Sequence, residues 1–298
     1  MTVSPQEWLR RLQSAFAGAA QLLTPRTAAC LLCGKPQTGA RSADSRSPAK
    51  LTPQLRQSLC GACLSAIPWL TRIACSGCGR GIACEDCIRS PHRAFVCNRS
   101  AVHYNQTMRA MLALYKYRGN EQLAPLLGDM LFPAFEALTA EVVQRTNVPG
   151  NRDSSSKITM ADYWDAVTYV PVSAEREADR GFNQAEQLAG RIAQCYRLPV
   201  RQLLVRSRHS EKQSFKTRSE RFRDTRTLFD VNASELRRLY AAHTVNAAGK
   251  AKPKRESVRI LLIDDIYTTG STAEACSQVL QKHAERPLEI YLLTWARS

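Results

Sequence analysis

No run of about 18 consecutive apolar residues, the length a membrane-spanning helix needs, occurs in the 298-residue chain. Aromatic residues are sparse, 7% of the total, so few are free to stack on nucleic-acid bases; Trp69, Phe95 and Tyr104 are the candidates, and each equally suits a core. The five histidines, His92, His103, His209, His243 and His283, are scattered without a recognisable partner acid, so no histidine-centred general base stands out. Acids are in the minority, 26 against 42 Lys and Arg, for a formal charge of +16. That excess points to a polyanionic partner or substrate rather than to any fold. Two sources fit it: single-stranded DNA or another nucleic acid, or a phosphate-handling site that needs local Arg and Lys while the remaining charge is solvated surface.

With 44% hydrophobic residues, the chain has material for a sizeable core, enough for one α/β domain and a small module. In residues 1–28, Trp8, Leu9, Leu12 and Phe16 interleave with Arg10, Arg11, Gln13 and Ser14, which predicts an amphipathic helical leader rather than a signal peptide.

Cysteine is abundant, and its spacing favours metal binding over a disulfide framework or a redox role. Eight of the 11 cysteines form Cys-x-x-Cys pairs: Cys30/Cys33, Cys60/Cys63, Cys75/Cys78 and Cys84/Cys87. Thiolates three residues apart grip one tetrahedral ion from a tight knuckle, and two knuckles close a structural zinc site. Gly34 and Gly79, each directly after a pair, suit that turn. Taken in order, the pairs give two sites, Cys30/Cys33 with Cys60/Cys63 and Cys75/Cys78 with Cys84/Cys87. Interleaved ligation, or a single zinc ion, also fits the short spacer between Cys78 and Cys84. Cys195 and Cys276 lie on helix-like patterns and are expected in the core.

The chain then divides into the leader, a zinc-binding module at 29–99 and an α/β domain at 100–298. Loops are expected at 145–162 and 241–257, where Pro, Gly, Ser, Asn or Lys accumulate. A polar loop is also expected from Lys35 to Lys50. Met108, Met111, Leu112 and Tyr115 share one helical face, a second helix spans Leu123 to Val143, and strands are expected at Ala166 to Val172 and Glu289 to Thr294.

The most informative string is Ile260 to Thr272, ILLIDDIYTTGST. Four apolar residues without alternation predict a parallel strand covered on both faces, starting near Val258. Asp264 and Asp265 follow, then a turn, Thr268-Thr269-Gly270-Ser271-Thr272, that opens a helix. Ligands of open α/β sheets bind at the carboxyl ends of strands. A glycine and the first amides of a helix favour phosphate, and the hydroxyls add donors, so the string suits a phosphorylated sugar. A second string, Glu175 to Ala185, places Arg176, Arg180 and Gly181 on a turn before a helix, donors suited to a departing pyrophosphate.

The first string resembles the 5-phosphoribosyl-1-pyrophosphate (PRPP) motif of type I phosphoribosyltransferases. The resemblance implies that fold, a parallel sheet flanked by helices, with a Cys-rich double zinc ribbon at its amino-terminal side. It assigns the ribose hydroxyls to Asp264 and Asp265 and the 5-phosphate to Thr268, Thr269, Gly270, Ser271 and Thr272. Magnesium accompanies the PRPP, and a mobile loop falls at Arg206 to Phe229. The four cysteine pairs, Tyr104, Lys116-Tyr117-Arg118-Gly119, Arg180-Gly181-Phe182-Asn183-Gln184, Gln213-Ser214 and Glu220-Arg221 extend the likeness to the ComF family. Lys216 and Asp224 depart from the family's usual residues. The family implies a cytoplasmic protein acting with the DNA-uptake machinery in natural transformation. Two readings follow: a transferase in which Asp264, Asp265, Arg176 and Arg180 are catalytic and the acceptor is unassigned, or a non-catalytic sensor of PRPP or nucleotide that holds single-stranded DNA.

Overall fold

The computed structural model describes residues 29–36, 48, 51–89, 92–116, 121–146, 159–206, 228–243 and 255–298. The expected leader at 1–28, and most of the expected loops at 35–50, 145–162 and 241–257, lie outside the described residues. So do Tyr117, Arg118 and Gly119, and all but the two ends of the expected mobile loop.

The strands are β1 (Cys97–His103), β2 (Ala166–Tyr169), β3 (Leu204–Arg206), β4 (Phe229–Val231), β5 (Val258–Tyr267) and β6 (Leu288–Arg297). Four of them form a parallel sheet in the order β1-β6-β5-β2, with Ile260 opposite Ile290 and Ala166. A parallel bridge from Val167 to Val200 brings the chain back along the outer edge of β2, a pairing that no sequence pattern signalled. Arg259, which interrupts the apolar run, is buried because Glu289 on β6 pairs with it at 2.9 Å.

Side chains alternate across a strand, so each strand feeds two cores. Leu261, Ile263, Tyr291, Leu293 and Val167 face one layer, built by α4 (Gln106–Lys116), α5 (Ala124–Thr146) and α7 (Gln184–Tyr196). Ile260, Leu262, Ile290 and Leu292 face the other, built by α8 (Ala233–Ala241) and α9 (Ser271–Lys282) together with Cys78, Cys84 and Phe95. The fold is thus a mixed α/β architecture, a parallel sheet flanked by helices. Met108, Met111, Leu112 and Tyr115 are the buried face of α4, as their spacing predicts. Cys276 is buried on α9, whereas Cys195 is exposed and not in the core. It sits at the rim of the α7 stripe, which Tyr196 continues by packing on Phe135 and Phe132.

Three short helices punctuate the amino-terminal cysteine segment: α1 (Pro53–Ser58), α2 (Gly61–Ser65), which contains Cys63, and α3 (Glu85–Arg89), which contains Cys87. Thr52 caps α1 and donates its hydroxyl to the buried Asp129 of α5 at 2.5 Å. Arg191 of α7 closes on the same carboxylate at 2.7 Å. Leu55 and Leu59, both fully buried, complete this dock. Trp69 and Phe95 are core residues and unavailable for stacking, while Tyr104 is half-buried beneath the Arg109 guanidinium, 5.6 Å from its ring centre.

Candidate functional site

After β5 the chain crosses by α9 to β6, while after β2 it crosses by α7 on the opposite face to the outer edge at Val200. The neighbours β5 and β2 therefore send their connections apart, which opens a crevice between their carboxyl ends, the usual ligand position of an open α/β sheet. Asp264, Asp265 and the threonine turn leave β5 on one side of it. The arginine turn leaves β2 on the other.

The strand runs on to Tyr267, so both acids lie within β5 rather than after it. Successive residues point to opposite faces. Asp265 meets Lys116 of α4 at 2.5 Å, and its backbone N–H donates to Asp264 Oδ1 at 2.8 Å. Asp264 lies toward α9, where its charge, after burial, pushes the Cys276 thiol well up. Burial and then the neighbouring Asp265 raise Asp264 to about 8, against the backbone N–H of Asp265 and Lys116, which lower it. On the other face, burial and then Asp265 raise the Tyr115 hydroxyl. The charge of Asp265 thus adds to burial in resisting ionisation of Asp264.

Gly270 takes a left-handed conformation, φ +84°, directly before α9. A Cβ there would collide with the hydroxyl and ring of Tyr267, so the glycine answers both conformation and space. The Ser271 backbone N–H donates to Thr269 Oγ1 at 3.4 Å, and Thr268 and Thr269 are exposed, leaving hydroxyls and first-turn amides facing outward.

Across the crevice, the expected arginine turn is itself a short helix, α6 (Ala174–Arg180). Ser173 caps it, and Gly181 ends it at φ +87°, its N–H donating to Glu177 at 2.7 Å. Asn183 then caps α7 and donates to the Val170 carbonyl at 3.2 Å, which ties the arm back to β2. Arg180 is held by Gln184 at 2.7 Å. Burial and the nearby Arg176 depress the Arg206 guanidinium at the end of β3, so that side of the crevice is cationic.

The eight paired cysteines form two groups, Cys30, Cys33, Cys60, Cys63 and Cys75, Cys78, Cys84, Cys87, each with all sulfurs within 4.8 Å of one another. This is the consecutive pairing, not an interleaved one. Sulfurs about 2.3 Å from a tetrahedral centre stand about 3.8 Å apart, and Cys33 and Cys60 Sγ are 3.8 Å apart. Gly34 and Gly79 close the knuckles at φ +70° and +73°. Burial raises a thiol, but at Cys30 backbone hydrogen bonds from Cys60, Cys33 and Leu32 outweigh it and bring the group to about 6. The donor set and its amide hydrogen bonds fit a zinc ion in each group.

The second group lies directly behind the threonine turn. Arg93 donates to Cys87 Sγ at 3.2 Å and to the Tyr267 hydroxyl. Arg297 lies 3.8 Å from Cys78 Sγ, donates to the Thr268 carbonyl at 2.8 Å and stacks over the Tyr267 ring at 4.8 Å. Glu274, in the first turn of α9, accepts from the Ala94 backbone at 3.1 Å. The sequence reading named none of these three, nor the contact of Lys116. The pairing of His243 with Asp165 at 3.1 Å also corrects the expectation of partnerless histidines. Asp165 precedes β2 and accepts from the Arg259 N–H early in β5, so this pair sits at the far end of the sheet from the acids.

No protein-family model matches the chain. Among curated proteins it is 29% identical over 235 residues to competence protein ComFC of Bacillus subtilis, covering 75% of this chain and 78% of the relative. Competence protein ComFC of Streptococcus pneumoniae is 26% identical over 268 residues, 89% of this chain and 98% of the relative. Competence protein F of Haemophilus influenzae is 24% identical over 133 residues, 44% and 51% of the two chains. Among solved structures, the allosteric regulatory enzyme of purine biosynthesis aligns at a TM-score of 0.24 and 13% identity, over 53% of this chain and 25% of that one. Two ComFC sequences that match across most of the chain, at 29% and 26% identity, support the likeness to the ComF family.

Proposed function

We propose that the protein binds magnesium-PRPP in the crevice between β5 and β2 and transfers its phosphoribosyl group, with zinc in both cysteine groups and a role in DNA uptake. One observation carries the reading: the diverging connections bring an acid pair and a phosphate-type turn opposite a cationic helix end. In this reading Thr268, Thr269, Gly270, Ser271 and Thr272 hold the 5-phosphate, and Asp264 and Asp265 take the ribose hydroxyls and share the charge of magnesium. Arg176, Arg180 and the Gly181 amide receive the pyrophosphate. As the bond at the anomeric carbon breaks, its electron pair leaves with pyrophosphate, and fixed guanidiniums stabilise the growing charge. An acceptor then supplies the pair for the new bond. The names of the relatives support a role in competence, and the charge of +16 supports single-stranded DNA as the polyanionic partner.

A second reading, a non-catalytic PRPP sensor that holds single-stranded DNA, draws on the position of His243. The histidine–acid pair among the described residues stands at the wrong end of the sheet to serve as base. Calorimetry with magnesium-PRPP, paired with pyrophosphate release in the presence of bases, nucleosides and DNA ends, separates the two. Binding that Asp264→Asn and Asp265→Asn abolish, with release, supports transfer. Binding without release supports the sensor, and no binding removes both.

A further inference from the structure

The second cysteine group and the threonine turn share two side chains. Arg93 spans from Cys87 Sγ, 3.2 Å away, to the Tyr267 hydroxyl. Arg297 spans from Cys78 Sγ, 3.8 Å away, to the carbonyls of Tyr267 and Thr268, at 3.2 and 2.8 Å. Between them stands the Tyr267 ring, faced by the Arg297 guanidinium at 4.8 Å and edge-on to Phe95 at 6.4 Å. Its hydroxyl fills the space that a Cβ on Gly270 would need. Arg93 is itself packed over Phe95, 5.3 Å from the ring centre.

Each guanidinium is thus a planar fork with one end on a sulfur and the other on Tyr267 or the turn that follows it. Such a fork has little freedom to move one acceptor without the other. With a metal ion bound by Cys75, Cys78, Cys84 and Cys87, the positions of Cys78 and Cys87 would be fixed. The arginines would carry that position to Tyr267 and Thr268, and so to the outward-facing amides and hydroxyls of the turn. Among the described residues, Cys30, Cys33, Cys60 and Cys63 have no arginine on their sulfurs and do not touch the turn.

The geometry points to a linkage between two sites: metal held by Cys75, Cys78, Cys84 and Cys87 tightens phosphate-ester binding at Thr268–Thr272, with Arg93 and Arg297 as the positioning residues. This rests on the phosphate reading of that turn. Linkage is reciprocal, so a bound phosphate ester must hold the second metal ion more tightly by the same factor.

The test uses the full chain loaded with zinc, ribose 5-phosphate as the probe and no magnesium. Zinc release to a chromogenic chelator is followed, and the two ions are told apart with Cys60→Ser, which disables the first group. Saturating ribose 5-phosphate is expected to slow release from the second group about fivefold or more, the lower end of ordinary coupling between sites. Release from the first group stays unchanged. Arg93→Gln should keep both zinc ions and lose the slowing. Tyr267→Phe, which removes only the hydroxyl that Arg93 grips, should weaken the slowing and leave the ring in place. Wild-type protein that binds ribose 5-phosphate by calorimetry yet releases both ions at unchanged rates overturns the linkage, as does full slowing retained in Arg93→Gln. Calorimetry showing no ribose 5-phosphate binding removes the phosphate site itself, and the linkage with it.

Discussion

Lys116 of α4 and Asp265 of β5 form an ion pair of 2.5 Å across the mouth of the crevice, with 26% and 20% of their side chains exposed. The lysine lowers the tendency of Asp264 to hold a proton. Lys116→Gln should therefore move Asp264 upward. Binding of magnesium-PRPP that needs both acids ionised strengthens as pH rises through about 8 in the wild type. In the variant the midpoint should lie at higher pH. Calorimetric titrations between about pH 6 and 9.5 read this, and coincident midpoints would disconnect Lys116 from the acid pair.

Asp264 also sets a stability trend. Its folded value, about 8, lies above the ordinary carboxylate value of 3.8, so the folded state holds the extra proton in between. The favourable contribution is complete at low pH and is lost as pH rises through the folded value. Asp264→Asn, which needs no proton, should unfold at higher denaturant concentration than the wild type at pH 8, by about 1–3 kcal/mol. The difference should vanish near pH 4. A variant less stable than wild type at pH 8 contradicts this sign.

Gly270→Ala places a methyl group against the Tyr267 hydroxyl at a backbone φ of +84°. Strain of this kind costs about 1–3 kcal/mol, and relief requires the tyrosine or the turn to shift. The expected result is a lower Tm together with weaker binding of PRPP. Unchanged affinity would show that the turn does not bear on the ligand.

Asp129 is the buried anchor between the amino-terminal helices and the sheet domain. Its carboxylate accepts from Thr52 at 2.5 Å and from Arg191 at 2.7 Å. Asp129→Ala removes the charged partner of Arg191, which keeps its bond to Gln54 and is 27% exposed, and should cost about 1–3 kcal/mol, measured by urea unfolding. Thr52→Val removes a single hydrogen bond and should cost about 1 kcal/mol.

Local patterns carried much of the fold. The i, i+3, i+4 spacing of Met108, Met111, Leu112 and Tyr115 marked the buried face of α4, because helical burial repeats within one turn. The cysteine knuckles were legible because two thiolates and a glycine form one local turn, and consecutive pairing proved to be the spatial one. The end of β5 was placed too early, since Asp264 and Asp265 break an apolar run without breaking the strand. Arg93 and Arg297 left no signal at all. Arg93 meets Tyr267 across 174 positions and Arg297 meets Cys78 across 219, and periodicity holds no record of partners so remote.

The contact between Arg93 and Tyr267 bears on how this chain can be dissected. A cut just before β1 would look clean on a plot of sequence, separating a cysteine-rich half from an α/β half. It would also strip the turn of Arg93, of the Ala94 amide on Glu274 and of the Phe95 ring. The isolated sheet would then present the turn at Thr268–Thr272 with its rear wall missing. Weak ligand affinity in such a fragment would report the surgery rather than the chemistry of the whole protein.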